Sequence, residues 1–433
     1  MSNSTLSNPV TNRADNKSHG LITPLDLDFV RAQFPAFSHP NNQGTVFCEN
    51  AGGSFVSQFV LNKHANYMCN MRVQTYANYQ PSKAAGEAMD LSYERMAELH
   101  GVSADEILLG PSTSMNTYIL AEAFKGLLKP GDEVIVTNQD HEANSGAWRR
   151  MASTGLCIKE WVVDSKTGLL DPQDLVELMG ERTKLICFPH CSNIVGAVND
   201  VAAVVKLAKS VGAYVVVDGV AWAPHAPHLD FKALGVDIYL YSLYKTYGPH
   251  MGLMYVHMDL LKHLPHQGHF FNADNHPRYR LTPAGPHHND IACVSGIVDY
   301  YDALYDHHFG TSDLNSSAKA AKVSEQVHQQ EETLMKAVLP ALQDKGFKIV
   351  GHEQADRSLR APTIAFYSPK QASATITQTL QAQGIACSHG HFYGYRIVRA
   401  LGLEPEDGIV RLSLLHYNTT EESEQIVEAL RKL

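Results

Sequence analysis

A lysine and an aspartate each follow directly on an apolar segment of this sequence. Asp218 ends the segment YVVVD, and Lys245 stands between Tyr244 and Tyr247 in the segment SLYKTYG. A carboxylate at the end of a buried strand requires a cationic partner. An amine among aromatic side chains is disfavoured in its charged form, which makes it a usable nucleophile. One strand-loop-strand unit separates the two residues, so both can face one cleft; a turn aspartate and a surface lysine are the structural alternatives.

Two further polar features lie next to predicted helices and strands. Ser112 and Thr113 belong to the segment GPSTS just before a helical pattern. Free backbone N–H groups and hydroxyls at such a position suit a phosphate. His141 follows the apolar segment EVIVT and is able to stack on an aromatic ring. A helix N-cap and a structural loop histidine are the alternatives at these positions.

These four features together match the requirements of one cofactor. Pyridoxal 5′-phosphate (PLP) needs an amine for its aldehyde, a carboxylate for its pyridine nitrogen and an anion site for its phosphate. Each feature alone is weak, but their order and spacing predict a PLP site in which Lys245 holds the cofactor as a Schiff base.

The hydrophobic pattern predicts the elements that position these residues. Helical spacing covers 114–127 and 199–211. Apolar strand patterns cover 133–137, 184–188, 213–217, 237–241 and 253–256. Strands that are apolar throughout and alternate with helices predict an α/β fold with a mostly parallel sheet covered on both faces. Ligands of such sheets bind beyond the carboxyl ends of the strands.

The pattern changes after the last of these strands. Residues 291–305 and 315–345 have helical spacing, and residues 347–350 and 409–415 have strand patterns. The segment EESEQIVEALRKL predicts a final helix, for which Thr420 is the expected N-cap.

The length of 433 residues indicates more than one domain. A single core rarely grows beyond about 250–300 residues. We expect a large PLP-binding domain at 51–290 and a smaller α+β domain built from 21–50 together with 291–433. Residues 1–20 are polar and are expected to form a disordered tail.

The chain resembles the class V aminotransferase family of PLP fold type I, in its cysteine desulfurase-like branch. The motifs that carry the resemblance are ENAGG at 49–53, DGVAWAPH at 218–225, SLYKTYGPHMG at 242–252 and RLSLLHYNT at 411–419. The resemblance implies that Lys245 binds PLP covalently. It also implies that Asp218 pairs with the pyridine nitrogen and that His141 stacks on the ring.

The same resemblance implies roles for five more residues. Ser112 and Thr113, with Ser242, would hold the phosphate. Asn193, in HCSNIVG, would lie near the cofactor oxygen and the substrate. Arg411 would bind the α-carboxylate of an amino-acid substrate, since its guanidinium matches a carboxylate bidentately. A salt bridge at a strand edge is the alternative for Arg411.

The resemblance further implies a symmetric homodimer whose active sites lie at the interface. The segment RLTPAGPHHND at 280–290 is expected to reach the neighbouring subunit's site. The expected partners are therefore a second copy of the chain and a small amino-acid substrate.

The chain departs from desulfurases at positions that matter for chemistry. Ala221 and Tyr244 stand where desulfurases carry Gln and His, and Tyr393, within 388–396, stands near their nucleophilic cysteine. Cys387 lies six residues earlier. We therefore expect a C–S (β-elimination) lyase that forms no enzyme persulfide, with Tyr393 or Tyr244 contacting the substrate. A class V aminotransferase is the alternative.

Two other classes of protein fit the motifs less well. Ser242-x-x-Lys245 and the KTG triplet at 166–168 imitate the motifs of serine acyl-enzyme hydrolases, but their order is reversed and no SDN triplet occurs. A non-catalytic fold relative is disfavoured because both Lys245 and Asp218 are present.

Composition narrows the remaining possibilities. The net charge of −10 argues against a nucleic-acid surface, and no apolar run reaches the roughly 18 residues that a membrane span requires.

Seven unpatterned cysteines and no recognisable targeting segment predict a reducing compartment, the cytoplasm. Despite 23 histidines, we expect no metal, because the HE pair at 141–142 is followed by Ser145 where H-E-x-x-H needs a histidine.

Overall fold

A computed structural model describes residues 23–272, 276–283 and 285–433. The expected disordered tail at 1–20 lies outside these ranges. Within them, the chain forms a seven-stranded sheet, a four-stranded sheet and a two-stranded sheet, with helices packed around them. The prediction of an α/β fold is confirmed. No helix in these ranges combines the length and the apolar character of a membrane span.

The elements are numbered in chain order. The strands are β1 Val46–Phe47, β2 Ile107–Gly110, β3 Glu133–Thr137, β4 Cys157–Trp161, β5 Thr183–Pro189, β6 Tyr214–Asp218, β7 Ile238–Ser242, β8 Gly252–Val256, β9 Lys348–Ile349, β10 Thr363–Tyr367, β11 Ile385–Ala386, β12 Ser388–Gly390 and β13 Ile409–Ser413. The α-helices are α1 Leu27–Ala32, α2 Gln58–Asn70, α3 Gln80–His100, α4 Thr113–Leu127, α5 Glu142–Arg150, α6 Pro172–Leu178, α7 Val201–Val211, α8 Phe231–Leu234, α9 Met258–His263, α10 His288–Cys293, α11 Ser295–Phe309, α12 Ser316–Asp344, α13 Ser373–Gln381, α14 Tyr395–Ala400 and α15 Thr420–Arg431.

The seven-stranded sheet is mostly parallel. Its order is β2-β8-β7-β6-β5-β3-β4, and β8 runs antiparallel to both of its neighbours. The register pairs Pro189 with Asp218 and Asp218 with Leu240. The carboxyl ends of β5, β6 and β7 therefore meet at one edge of the sheet, where the site predicted from the sequence belongs.

Successive residues of a central strand pack into two separate hydrophobic cores, one on each face of the sheet. This explains why these strands are apolar throughout. Val215 and Val217 pack in a core with helices α3, α7 and α11. Val216 and Leu240 pack on the opposite face with helices α4 and α5. A strand between two helical layers must be apolar on both faces, so periodicity alone does not mark it as amphipathic.

The four-stranded sheet is antiparallel and has the order β12-β13-β10-β9. It packs on α13, α15 and the second half of the 29-residue helix α12. The first half of α12 packs on the core of the larger sheet. The division into domains at 51–290, and at 21–50 plus 291–433, stays a prediction.

Two details of the predicted elements differ from the structure. The N-cap of α15 is Thr419, whose side chain accepts from the backbone N–H of Glu422, and Thr420 is the first helical residue. The helix expected at 291–305 is divided at Val294 into α10 and α11. One difference moves an N-cap by one residue, and the other divides one predicted helix into two. Hydrophobic spacing does not locate helix boundaries this closely.

Candidate active site

A cavity of about 240 Å³ opens at the carboxyl edge of the larger sheet. It brings together eight of the ten predicted site residues: Ser112, Thr113, His141, Asn193, Asp218, Ser242, Tyr244 and Lys245. The other two, Arg411 and Tyr393, contact residues of this lining. The predicted residues come from distant parts of the chain, and the strand ends gather them at one place.

Lys245 and Asp218 are buried and influence each other electrostatically. Lys245 ends the short 3-10 turn after β7, and burial together with nearby Arg411 lowers the pKa of its amine to about 8. Asp218 ends β6 and accepts a hydrogen bond of 2.9 Å from the backbone N–H of Val220. Burial raises the pKa of the Asp218 carboxyl to about 6, against the opposing effects of that hydrogen bond and of Lys245. The amine is thus easily made neutral, and the carboxylate lacks a strong local counter-charge.

Hydroxyl groups surround the N-terminus of the 15-residue helix α4. Ser112 caps this helix and accepts from the backbone N–H of Met115 at 3.2 Å. The hydroxyls of Thr113 and Ser242 lie 2.8 Å apart. Gly252 allows β8 to approach, because a Cβ there would come within 2.5 Å of the Thr113 nitrogen. The result is a compact cradle of N–H and O–H donors that suits an anion.

His141 caps helix α5 and faces the cavity as a neutral ring. Its Nδ1 accepts from the backbone N–H of Ala143 at 3.0 Å. Burial first, and then the positive charges of Lys245 and Arg411, lower the pKa of His141 to about 3. The ring of Tyr393 packs against it, with 5.2 Å between ring centroids and 36° between the ring planes. A neutral imidazole in this place can stack on a flat ligand, and the ring is not in the imidazolium form that acts as a general acid near neutral pH.

Arg411 lies on β13 beside the cavity and is 3% exposed. Its Nη1 donates to the backbone oxygen of Asn193 at 3.1 Å, and its Nη2 donates to Glu49 Oε1 at 2.7 Å. The ring of Phe392 covers one face of the guanidinium, 3.8 Å from the carbon to the ring centroid. Burial lowers the pKa of Arg411, but the guanidinium stays charged. The salt bridge that we considered for Arg411 is present.

The residues of this region that were not predicted as site residues include His250, Cys191 and Glu49. His250 lines the cavity and stacks on Tyr244, with ring centroids 4.4 Å apart and planes 5° from parallel. Cys191 also lines the cavity. Glu49 pairs with Arg411. Glu49 and His250 both lie inside motifs that carry the family resemblance, so the motifs themselves were the available signal.

The thiols near the site are protonated. All seven cysteines are free. Burial raises the pKa of Cys191 to about 12, and its thiol donates to the oxygen of Gly196 at 3.2 Å. Cys387 is also buried, and its pKa is likewise raised to about 12. Since the thiolate is the nucleophilic form, neither group is poised to attack a substrate.

The donor set of the cavity fits PLP. The hydroxyl and N–H cradle suits a phosphate, Asp218 suits a pyridine nitrogen and Lys245 suits an aldehyde. Asn193 Oδ1 is buried without a hydrogen-bond partner in the described part of the chain, which leaves it available to a ligand. Among the described residues, no three His, Cys, Asp or Glu side chains come together as a metal site would require.

Comparison with known proteins identifies the family. The family described as aminotransferase class-V matches residues 46–272 and 314–426. This chain belongs to that family. It is therefore a PLP-dependent enzyme, and its cofactor is PLP, as the residues of the cavity predicted. The hydrolase and the non-catalytic relative that we considered are both excluded.

Individual class V relatives cover nearly the whole chain. An aminotransferase-like protein of Gibberella zeae is 33% identical over 416 residues, 94% of this chain and 98% of the relative. A cysteine desulfurase of Yersinia pseudotuberculosis is 28% identical over 428 residues, again 94% and 98%. The apo cysteine desulfurase of Thermococcus onnurineus superimposes with a TM-score of 0.81 at 22% identity, covering 95% of this chain and 99% of that structure. The last comparison confirms PLP fold type I.

Proposed function

We propose that this class V enzyme is a lyase that removes a β-substituent, with a sulfur-containing leaving group, from an amino acid. No enzyme persulfide forms in this reaction. The observation that carries the proposal is the contact of Tyr393 with His141, together with the protonated state of Cys191 and Cys387. By the family resemblance, Tyr393 stands near the position of the desulfurases' nucleophilic cysteine. A phenol can donate a proton but cannot accept sulfur as a persulfide-forming thiol does.

The chain's own residues would hold the cofactor in four ways. Ser112 and Thr113, with Ser242, would bind the phosphate at the N-terminus of α4. His141 would stack on the ring, and Asn193 would face the cofactor oxygen and the substrate. Asp218 would keep a proton on the pyridine nitrogen, since a buried carboxylate stabilises a neighbouring cation. When bound, PLP withdraws electrons from the substrate's α-carbon.

Lys245 is the proposed base. Burial and Arg411 lower the pKa of its amine, so the neutral form is accessible near neutral pH. A base is most effective when its pKa lies close to the working pH. Once its amine is free of the cofactor, Lys245 would remove the proton from the substrate's α-carbon.

Tyr393 and Tyr244 are the proposed acids for the leaving group. Burial raises the pKa of Tyr244, which keeps its phenol protonated. Tyr393 is 69% exposed and its ring contacts His141 of the cavity lining. A positioned phenol is a competent general acid. Either tyrosine would then protonate the departing sulfur so that it leaves with its own substituent.

A half-reaction without any keto acid decides between this lyase and an aminotransferase. With a β-substituted alanine such as S-methylcysteine, we expect catalytic release of pyruvate, ammonia and thiol. An aminotransferase would instead convert only one equivalent of cofactor to its amine form and would require a keto acid to recover. That stoichiometric result would overturn the lyase proposal and establish the alternative.

Arg411 is proposed to bind the substrate's α-carboxylate. Arg411→Ala should weaken amino-acid binding by about 2–4 kcal/mol, because a charge-assisted contact is lost while PLP stays bound. Substrate titration of the holoenzyme measures this change, and Arg399→Ala, an exposed arginine on α14, is the matched control. If amines without a carboxylate react as well as amino acids in the unaltered enzyme, Arg411 has a different role.

We also propose that the enzyme is a symmetric homodimer. Large apolar side chains are exposed on α2 and on the segment after it, including Leu61, Tyr76 and Tyr79 at 41%, 53% and 50%. Large apolar side chains exposed close together in the chain support an interface at this place. Light scattering should give twice the chain mass of 47.7 kDa. An active, PLP-loaded monomer would contradict the proposal that residues 280–290 serve a neighbouring site.

A further inference from the structure

Both terminal nitrogens of the Arg411 guanidinium donate hydrogen bonds, and an aromatic ring covers one of its faces. Few of its donors therefore remain for a substrate. Nη1 donates to the backbone oxygen of Asn193, and Nη2 donates to Glu49 at 2.7 Å. The ring of Phe392 lies against the face of the guanidinium. The Nε atom is buried and has no hydrogen-bond partner within the described ranges. An incoming carboxylate therefore meets a guanidinium that is already paired with another carboxylate.

Glu49 is positioned for this contact by the fold around it. It follows β1, which pairs with β11, and its backbone forms a bridge with Ser413 on the same strand as Arg411. One of its carboxylate oxygens contacts Arg411, and the other, Oε2, is buried without a partner in the described part of the chain. Most buried carboxylate oxygens are hydrogen-bonded, so Arg411 satisfies Glu49 only in part. The free oxygen and the free Nε lie on the two members of one pair, which indicates a pair built to accept a third group.

We infer that Glu49 is an internal carboxylate that shares Arg411 with the substrate's α-carboxylate and thereby sets the affinity of the site for carboxylates. The inference rests on the proposed role of Arg411 and makes Glu49 a positioning residue that acts through it. In the empty site, Glu49 balances a charge that would be unfavourable if buried alone. In the filled site, its negative charge faces that of the substrate and weakens binding.

Removing the charge of Glu49 should therefore strengthen carboxylate binding. Glu49→Gln keeps the size of the side chain and an oxygen that can accept from Arg411, but it leaves the guanidinium without a counter-charge. Glu49→Asp keeps the charge on a shorter side chain. Calorimetric titration of the PLP-loaded enzyme with propionate, and with propionamide as an uncharged match, measures the effect independently of turnover.

The expected result is tighter propionate binding by Glu49→Gln, on the order of tenfold, with propionamide binding unchanged. Glu49→Asp should bind both probes as the unaltered enzyme does, and unchanged propionamide affinity shows that each variant retains an intact cavity. Equal or weaker propionate binding by Glu49→Gln would overturn the inference.

Arg411→Ala separates this inference from the function on which it rests. If that variant binds propionate as well as the unaltered enzyme does, Arg411 does not bind carboxylates, and both proposals fail. If Arg411→Ala loses propionate binding while Glu49→Gln changes nothing, the role of Arg411 stands and only the inference about Glu49 fails.

Discussion

Replacing Lys245 with alanine is expected to abolish turnover and the borohydride-reducible linkage between the protein and PLP. The side chain is 8% exposed, and its pKa is lowered to about 8 by burial and by Arg411. A neutral amine is the form that attacks an aldehyde, and the lowered pKa increases the fraction of Lys245 in that form. The same amine is the proposed base for the substrate's α-proton. Its removal should therefore prevent both the covalent attachment of PLP and the removal of that proton.

Lys232→Ala is the matched control for this experiment. Lys232 is an exposed lysine on helix α8, outside the cavity. It should leave turnover, visible absorbance and the reducible linkage unchanged. Mass spectrometry after borohydride treatment locates the modified residue in each variant. If Lys245→Ala still forms the linkage through another lysine, the assignment of Lys245 is wrong.

The structure brings the strand-end residues together in one cavity, and the sequence allowed this to be predicted for a physical reason. Asp218 and Ser242 terminate apolar strands, and the carboxyl ends of adjacent parallel strands must meet at one edge. Lys245 follows one of these strands by a single short turn. Local pattern therefore places these side chains in one cavity without any knowledge of long-range contacts.

Contacts between distant segments could not be predicted in the same way. Glu49 and Arg411 are 362 residues apart in the chain, and they meet because β1 pairs with β11 while β12 pairs with β13. The local sequence around either residue does not indicate that the two form an ion pair. The stack of His250 on Tyr244 likewise depends on how the loop between β7 and β8 folds back.

The backbone around Tyr393 shows a further limit of pattern-based prediction. Phe392 and Tyr393 have φ angles of 44° and 61°, in the left-handed region that aromatic residues rarely adopt. Their carbonyls accept hydrogen bonds from the Asn193 side chain and from the backbone N–H of Glu142, each at 2.9 Å. These long-range bonds stabilise a conformation that the local sequence disfavours, and they bring Tyr393 into contact with His141.

Asp218→Asn is expected to leave the fold intact and to reduce turnover by about 1,000-fold. Asparagine keeps an oxygen that can accept the 2.9 Å hydrogen bond from Val220, so the turn after β6 should survive. It removes the negative charge that is proposed to hold a proton on the pyridine nitrogen. Burial makes that charge effective, because little solvent is present to replace it. The loss should appear in kcat, whereas the affinity of the phosphate site for the cofactor should be unchanged.

Asp237→Asn is a matched control because it tests the structural role alone. Asp237 directly precedes β7, at the amino end of the strand, and accepts a hydrogen bond of 2.8 Å from the backbone N–H of Val215. Burial raises the pKa of its carboxyl, as it does for Asp218. If hydrogen bonding to the backbone were the whole function of Asp218, the two variants would lose similar, small amounts of activity. A loss of only a few-fold in Asp218→Asn would thus show that this residue merely supports its turn, whereas a loss confined to Asp218→Asn assigns its charge to the reaction.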